Sequence, residues 1–321
     1  MILSQLDKTY ISSKNQLSKV PLYIANKSHQ NLLDLINNEK DIIDDIILNY
    51  GGLIFRGFNI HSLSEFSLVA SSYCPDLLEY ENRSTPRTNL GGKIYTATEY
   101  PADRYIPFHN ENSYTSKWPK KLLFFCVVPS ATGGETPISD SRLIYKSLNK
   151  DIVKKFEEKR IMYKRNFIPG IDLSWQEVFQ TEEKYKVEEF CKAASIDYEW
   201  KNSLVELTIK EICQASIKHE ITKEIVWFNQ AHLFHLSALS DVDQLNLINE
   251  FGHDNLPRNA FFGDESSIDP NELNEIRNTY LNNKIEFKWE KGDLMIIDNL
   301  LMAHSRNPFE GYRKIAVAMG N

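Results

Sequence analysis

The first strong hydrophobic pattern of the chain is helical. Between residues 32 and 47, leucines and isoleucines recur at three- and four-residue steps, and Gly51-Gly52 follows them. This spacing places the apolar side chains on one helical face, and glycine commonly follows the last residue of a helix. We therefore predict a helix that ends at Gly51, then a buried strand at residues 53–55 and a second short helix at residues 64–72.

Sequence rich in β-branched and aromatic residues follows and returns at the C-terminal end. Such runs are typical of strands, and the candidates are residues 94–96, 122–128, 226–228, 285–289, 294–297 and 315–319. Between about 140 and 219 the composition turns to Lys and Glu, which favours helices. No internal repeat or linker is present. We expect a single domain over residues 1–321, with a β core and a helix-rich insertion at about 140–219.

Three further segments carry helix signals. Ser174 and Glu177 have the spacing of a capping box, in which each side chain bonds the other residue's backbone amide. Asp269 followed by Pro270 combines a preferred N-cap residue with a preferred first residue. Residues 236–251 are also predicted to be helical. We predict helix starts after Ser174 and at Pro270.

Composition and charge limit the classes of function. The chain has 321 residues, 42% of them hydrophobic, which excludes a disordered chain. Its formal net charge is -7, so a nucleic-acid partner is not expected, because backbone binding needs clustered Lys and Arg. No apolar run approaches the roughly 20 residues of a membrane span, and no signal peptide is evident. Four scattered cysteines are typical of reduced thiols, so we expect a cytoplasmic protein without a membrane partner.

One set of residues has the chemistry of a metal site. His109 and Glu111 are two residues apart, so on a strand they would face the same side, and His304 follows a distant apolar run. Two histidines and one carboxylate form the facial triad of non-haem Fe(II) oxygenases. Taken alone, the His109/Glu111 pair is weak evidence, since two surface residues would give the same pattern.

Two further features strengthen this interpretation. Gly133-Gly134 precedes the hydroxyl of Thr136, and Arg313 lies nine residues after His304 at the start of the last predicted strand. A guanidinium and a hydroxyl suit the far carboxylate of a dicarboxylate. The simpler explanations are a hairpin turn for the glycines and a surface ion pair for Arg313. The combination of all these features favours a functional site.

These motifs together resemble a known family. The segments His109-Asn110-Glu111, Gly133 to Thr136, and Gly292 to Asn299 leading to His304 and Arg313 resemble the TauD/TfdA family of Fe(II)/2-oxoglutarate-dependent dioxygenases. The resemblance is closest to the branch of the syringomycin-pathway aspartate hydroxylase and the clavaminate-synthase-like enzymes. It runs from about residue 52 to the C-terminus and weakens through the insertion.

The resemblance implies a fold and a reaction. The fold would be mainly β with helices, built on a double-stranded β-helix (jelly roll). His109, Glu111 and His304 would bind Fe(II), while Thr136 and Arg313 would anchor 2-oxoglutarate. With O2 as cosubstrate, the enzyme would hydroxylate an unactivated carbon of an amino-acid-like substrate, free or presented by a carrier protein, in a secondary-metabolite pathway. Succinate and CO2 would be coproducts.

Some assignments depart from the family pattern or stay open. Lys314 stands where close relatives often have a second Arg, so we do not assign a substrate contact to this position. Arg87 and Asn112 are our candidates for substrate contacts. The carboxylate Glu111 occupies the position where halogenases of the family have a small residue, so halogenation is not expected. Arg306 is an alternative cosubstrate anchor.

The remaining histidines have simpler interpretations. His232 and His235 are three residues apart, a spacing that helical metal ligands can have, but we interpret them as packed or hydrogen-bonded residues near the pocket wall. The others read as surface or capping residues: His29, His61, His219 and His253.

Three alternative functions remain open at this stage. The same cofactor chemistry could give desaturation or cyclisation. Two histidines and a carboxylate also suit catalytic zinc, so a zinc hydrolase is an alternative, although the chain has no H-E-x-x-H helix. A jelly-roll binding protein without turnover is the third. The sequence names neither the substrate nor the oligomeric state.

Overall fold

The computed structural model describes residues 3–25, 31–79, 87–201 and 206–321. The strands of these residues are β1 (Asp7–Ser12), β2 (Lys19–Ile24), β3 (Gly52–Arg56), β4 (Asn89–Gly91), β5 (Ile94–Thr96), β6 (Ile106–His109), β7 (Lys121–Val128), β8 (Thr132–Gly133), β9 (Ile138–Asp140), β10 (Ile161–Phe167), β11 (Asp197–Lys201), β12 (Glu206–Cys213), β13 (Ser216–Lys218), β14 (Ile225–Trp227), β15 (Arg258–Phe262), β16 (Leu294–Asp298), β17 (Met302–Arg306), β18 (Phe309–Glu310) and β19 (Lys314–Gly320). The helices are α1 (Leu32–Tyr50), α2 (Leu63–Tyr73), α3 (Ser141–Ser147), α4 (Lys150–Lys159), α5 (Trp175–Phe179), α6 (Lys184–Ala193), α7 (Ala231–Phe234), α8 (Asp241–Phe251) and α9 (Pro270–Asn282), with short 3-10 turns at Leu3–Gln5 and Leu236–Ala238.

The core lies on both faces of a large sheet. Its eight strands have the order β1-β2-β3-β16-β7-β19-β5-β4. Side chains alternate between the faces of a strand. Along β7, Leu123 and Phe125 pack with α1 and α2, whereas Leu122 and Phe124 join a second cluster that includes Met302 of the small sheet β6-β17-β9. Because such strands are buried on both faces, their side chains are apolar at successive positions. This is the continuous apolar run on which the strand prediction rests.

The predicted N-terminal elements are confirmed. The side chain of Asn31 accepts hydrogen bonds at the start of α1, and the helix ends at Gly51, whose φ of 79° is the left-handed conformation that favours glycine. Strand β3 and helix α2 follow at the expected places. The capping box at Ser174 and the helix start at Asp269 are confirmed as well.

Residues 140–219 contain more strand than the composition predicts. Helices α3 to α6 form there, but β10, β11 and β12 also lie in this segment and join β15 in a four-stranded sheet of order β11-β12-β10-β15. The expected helices are thus present, but the strands between them were not predicted. Lys and Glu residues can occupy the more exposed positions of a strand while its apolar residues are buried, so a charged composition does not identify a helix.

Two other predicted elements differ from the structure. Residues 285–289 alternate between buried and exposed side chains as a strand would, but only Ile285 pairs, in an isolated bridge to Ile138. The buried side chains of the segment pack in the core, but its backbone is not part of a sheet. Residues 236–251 form a 3-10 turn and the separate helix α8 instead of one helix, because Ser240 caps a new helix start.

Two expectations from composition concern cysteines and membranes. All four cysteines are buried and free, as their spacing predicts. In the described parts of the chain, no helix combines the length and the apolar character needed to span a bilayer.

Candidate active site

Three predicted ligand residues come together between two strands. In the small sheet, β17 pairs antiparallel with β6, and His304 lies directly opposite His109. Their ring centroids are 4.2 Å apart. One ligand atom from each of His109, Glu111 and His304 lies within 4.8 Å of the other two. The spacing fits three ligands on one face of a single ion.

The position of Glu111 has a different cause from the one the sequence suggested. Strand β6 ends at His109, so Glu111 lies in the following turn and strand alternation does not place it. Asn299 holds it instead. The Asn299 side chain accepts the Glu111 backbone N–H at 2.7 Å and donates to the Glu111 carbonyl at 3.0 Å. A fully buried amide from a distant strand end thus fixes the third ligand.

The residue between the ligands is also anchored. The Asn110 side chain donates to the Asn299 carbonyl at 2.6 Å and to the Ser141 hydroxyl at 3.2 Å. The Gln230 side chain donates to the Asn110 carbonyl at 2.8 Å. Sequence reasoning missed these positioning roles of Asn299 and Gln230. For Asn299 the available signal was its place in the segment Gly292 to Asn299 that resembles the family.

The electrostatics of the three side chains suit a divalent cation. Burial lowers the pKa of His109, although Glu111 opposes the effect, and burial lowers the pKa of His304 well below its usual value. Both imidazoles are therefore neutral at neutral pH and can donate a lone pair. The Nδ1–H of His109 donates to the Pro107 carbonyl at 2.8 Å, which leaves Nε2 for a metal. The donor set fits Fe(II).

Arg87 lies against the carboxylate of this set. Its Nη2 is 2.7 Å from Glu111 Oε2, and both side chains are buried. The ion pair that we considered as the alternative for Arg87 is thus present, and its contact with substrate stays a prediction. For Asn112 the structure shows a backbone role: its carbonyl accepts hydrogen bonds from Thr115, and its φ is 56°. A substrate contact of Asn112 also stays a prediction.

The two predicted cosubstrate residues lie together beside the histidines. A small cavity is lined by His109, His304, Thr136 and Arg313. Arg313 Nη2 donates to the Thr136 hydroxyl at 3.2 Å, and the Trp289 indole N–H donates to the same oxygen at 3.0 Å. Because this oxygen accepts two hydrogen bonds, its own proton is available to a carboxylate. Sequence reasoning missed Trp289.

Arg313 forms no ion pair within the described part of the chain, although Glu135 is near enough to oppose the lowering of its pKa. Within the described residues, no carboxylate lies within 4.0 Å of its guanidinium. Burial lowers the pKa of Arg313 to about 10, and the nearby Arg306 adds to the effect. Gly134 lets the guanidinium approach, since a Cβ there would lie 2.9 Å from Arg313 Cδ. Arg313 therefore favours binding of an anion from solution.

The alternative anchor Arg306 is already engaged. It lines the same cavity, but its terminal nitrogens donate to the carbonyls of Tyr100, at 2.8 Å, of Pro101, at 2.6 Å, and of Arg104. It holds the loop at residues 100–104 against β17. This favours Arg313 as the cosubstrate anchor.

The other histidines lie outside the group of three. His232 is buried and donates to the Phe108 carbonyl, and His235 caps a 3-10 turn, which agrees with their interpretation as packed residues. Of the two interpretations of His219, capping agrees with the structure, because its Nδ1 accepts the backbone N–H groups of Ile221 and Thr222. It is not a surface residue: it is buried, and its Nε2 lies 3.3 Å from Asp298. Asp298 lies 79 positions after His219 in the chain, so no local sequence pattern predicts this contact. His61 and His253 are exposed, and His29 lies outside the described residues.

Comparison with known proteins identifies the family. Residues 20–319 match the model described as taurine catabolism dioxygenase TauD, TfdA family. The chain belongs to the TauD/TfdA family. Members of this family are Fe(II)/2-oxoglutarate-dependent dioxygenases that use O2, so the expected enzyme class and cofactors are confirmed.

Particular relatives agree with the branch that the motifs indicate. This TauD/TfdA enzyme is 40% identical over 277 residues to the dapdiamide synthesis protein DdaC of Enterobacter agglomerans, covering 86% of this chain and 84% of DdaC. It is 28% identical over 294 residues to a clavaminate synthase-like protein of Arabidopsis thaliana, covering 88% and 86%. The PvcB structure from Pseudomonas aeruginosa superposes with a TM-score of 0.58 at 12% identity, over 98% of this chain and 90% of PvcB. The predicted jelly-roll core with helices is confirmed.

Proposed function

We propose that this dioxygenase hydroxylates an unactivated carbon of a small amino-acid-like substrate, free or tethered to a carrier protein, in a secondary-metabolite pathway. The similarity to a dapdiamide synthesis protein and to a clavaminate synthase-like protein supports this class of pathway. The position of the three ligand residues beside a cationic cavity supports oxidation with 2-oxoglutarate.

Each site residue has a proposed role. His109, Glu111 and His304 hold Fe(II) through two nitrogens and one oxygen. Arg313 and Thr136 hold the distal carboxylate of 2-oxoglutarate. With iron and cosubstrate bound, the site would supply an oxidant able to remove hydrogen from an unactivated carbon, and succinate and CO2 would be released. The protein positions these groups and shields them from water.

The observation that carries the proposal is the place of Arg313 next to the triad, without an ion pair in the described part of the chain. A guanidinium without a carboxylate partner in the described residues needs an anion, and Thr136 offers a second hydrogen bond at the same place. A zinc hydrolase has no use for a dicarboxylate anchor beside its metal. A binding protein without turnover has no use for three converging ligands.

The nature of Glu111 narrows the outcome. Its carboxylate supplies the third protein ligand, so no position is left for a halide in its place. This supports oxygen transfer over halogenation. Desaturation and cyclisation need the same cofactors and the same protein ligands, and the product must distinguish them.

Mass spectrometry tests the proposal directly. The purified enzyme with Fe(II), 2-oxoglutarate and O2 is incubated with a panel of free and carrier-bound amino acids. Addition of one oxygen atom to a panel member, with an equal amount of succinate, is the expected result. Loss of two hydrogens would identify desaturation or cyclisation, and product formation without O2 would contradict the proposal. His304→Ala should be inactive, and the exposed His253→Ala is the matched control.

A further inference from the structure

Trp289 contacts the candidate cosubstrate site without lining it. Its side chain is 7% exposed, and its indole N–H donates to the Thr136 hydroxyl at 3.0 Å. Thr136 lines the cavity beside the triad, whereas Trp289 does not. Any effect of this indole on a ligand in the cavity therefore passes through Thr136.

The backbone that carries Trp289 is anchored to the large sheet. Arg56, at the end of β3, donates to both carboxylate oxygens of Asp293, at 3.0 and 2.7 Å. The same guanidinium donates to the Lys288 carbonyl at 2.8 Å and pairs with Glu290 at 2.7 Å. Arg56 thus holds the residues on both sides of Trp289.

Packing fixes the orientation of the indole ring. The rings of Trp289 and Phe287 meet edge to face, with their centroids 4.7 Å apart. Trp289 also belongs to the buried cluster that contains Phe124 and Ile315. Side chains in such close-packed surroundings have few orientations available to them. The indole N–H is therefore directed at Thr136 before any ligand binds.

The hydrogen bonds of the Thr136 hydroxyl determine what it can offer to a ligand. A hydroxyl oxygen has two acceptor positions and one proton. Trp289 occupies one acceptor position, and Arg313, at 3.2 Å, occupies the other. Among the residues that the structure describes, none accepts the Thr136 proton. Toward the cavity, the hydroxyl can therefore act only as a donor.

A hydroxyl that only donates distinguishes between two kinds of ligand group. A carboxylate oxygen accepts hydrogen bonds, whereas an amide nitrogen only donates them. An amide nitrogen placed here would face donors from both Thr136 and Arg313, and unpaired buried donors cost binding free energy. Without the indole, one acceptor position of Thr136 would be open to an amide N–H.

We propose that Trp289 is a positioning residue that makes Thr136 a donor and thereby selects a carboxylate over an amide at the distal end of the cosubstrate. The indole acts through the Thr136 hydroxyl and does not touch the ligand. This inference rests on the proposed function of Thr136 and Arg313, and it adds a residue that determines specificity.

Calorimetry with two probes measures the selection. The enzyme with Mn(II) is titrated with N-oxalylglycine, which resembles 2-oxoglutarate and ends in a carboxylate, and with its terminal amide, N-oxalylglycinamide. Wild type should bind the acid at least about tenfold more tightly than the amide. Trp289→Phe should weaken binding of the acid about three- to tenfold and binding of the amide less, so the ratio of the two affinities falls.

A second tryptophan provides the matched control. The indole N–H of Trp200 donates to Glu188 at 3.1 Å, and neither residue lines the cavity beside the triad. Trp200→Phe therefore also loses one indole hydrogen bond, but it should leave both affinities unchanged. An unchanged ratio of affinities in folded Trp289→Phe would overturn the proposal.

A double variant tests whether the indole acts through the hydroxyl. Thr136→Val removes the hydroxyl, so Trp289→Phe should have no further effect on N-oxalylglycine binding in that background. An equal loss from Trp289→Phe with and without the hydroxyl would mean that the indole acts by another route, and this result would also overturn the proposal.

A substitution of the same shape covers the case in which circular dichroism shows that Trp289→Phe does not fold. β-(3-Benzothienyl)alanine, introduced at position 289 by amber suppression, has the shape of tryptophan but sulfur in place of the N–H. It should lower the ratio of affinities as expected for Trp289→Phe. An unchanged ratio with this residue would contradict the role of the N–H.

Arg313→Gln separates this inference from the proposed function. If N-oxalylglycine binds wild type no more tightly than Arg313→Gln, the proposed cosubstrate site is wrong, and the inference is wrong with it. If Arg313→Gln loses binding but Trp289→Phe keeps both wild-type affinities, only the role of Trp289 is wrong.

Discussion

Arg87 and the metal ion are expected to compete for the charge of Glu111. Arg87 Nη2 lies 2.7 Å from Glu111 Oε2, and the two side chains are only 4% and 5% exposed. In the absence of metal, Arg87 compensates a carboxylate that would otherwise be buried alone. When a divalent cation binds Glu111, the cation compensates the same charge. The substitution Arg87→Gln should therefore destabilise the metal-free protein more than the metal-bound protein.

The size of the effect follows from the burial of the pair. Removal of one partner of a buried ion pair costs about 3–5 kcal/mol, because the remaining charge has no compensation. Replacement of both partners is close to neutral. We therefore expect Arg87→Gln to lower the free energy of unfolding of the metal-free enzyme by about 3 kcal/mol or more. The double variant Arg87→Gln/Glu111→Gln should recover most of this loss.

Urea unfolding with and without saturating Mn(II) measures both quantities. Mn(II) is a redox-stable substitute for Fe(II), and the difference between wild type and Arg87→Gln should shrink when it is present. The exposed Arg160→Gln is the matched control and should behave as wild type. An equal loss of stability with and without Mn(II) would refute the competition, and no loss in either condition would refute the contribution of the ion pair.

Three further predictions concern the positioning amide, the cosubstrate anchor and the buried acid. Asn299→Ala should weaken Fe(II) binding about 10- to 100-fold in a metal titration, because Glu111 loses the two hydrogen bonds that fix it. Arg313→Gln should raise the KM for 2-oxoglutarate at least tenfold in an assay of succinate release, and Thr136→Val should raise it less, because it removes a neutral partner. Burial raises the pKa of Glu211 from 4.5 to about 7, so the folded state binds more protons than the unfolded state between these values, and stability falls as pH rises through that window. Glu211→Gln should remove this fall of about 3 kcal/mol, as urea unfolding at pH 4.5 and pH 8 would show.

The first two of these predictions have matched controls, and each of the three has a result that would contradict it. The exposed Asn282→Ala controls for loss of an amide, and Arg160→Gln controls for loss of a guanidinium. Unchanged Fe(II) affinity in Asn299→Ala would mean that Glu111 keeps its position without the two hydrogen bonds from Asn299. An unchanged KM in Arg313→Gln would move the cosubstrate anchor elsewhere. An equal pH dependence in wild type and Glu211→Gln would assign the titration to another group.

The sequence predicted the parts of the fold that depend on local chemistry. The helix end at Gly51 and the start at Asp269 need only a residue with the right backbone or capping preference, and both are present. Strands such as β7 and β16 are buried on both faces, so they have continuous apolar runs that can be recognised in the sequence.

The parts that depend on distant contacts were not predictable in this way. Asn299 bonds Glu111 across 188 positions of the chain, and Trp289 bonds Thr136 across 153. No local pattern identifies these pairs. The strands β10 and β12 have charged residues that suggested helices. Glu211 among them is buried, beside the loop of Ser116 and residues of α5 and α6 that are distant in sequence. Burial of a charged residue is decided by tertiary packing.

The most direct test of the proposed metal and cosubstrate site is an anaerobic titration of the enzyme with Fe(II) and 2-oxoglutarate, followed by visible absorption. Wild type should develop a weak charge-transfer band that requires both additions, and His304→Ala should not develop it. A band of equal strength in His304→Ala, or no band in wild type, would contradict the assignment of His109, Glu111 and His304 as the ligands of the iron.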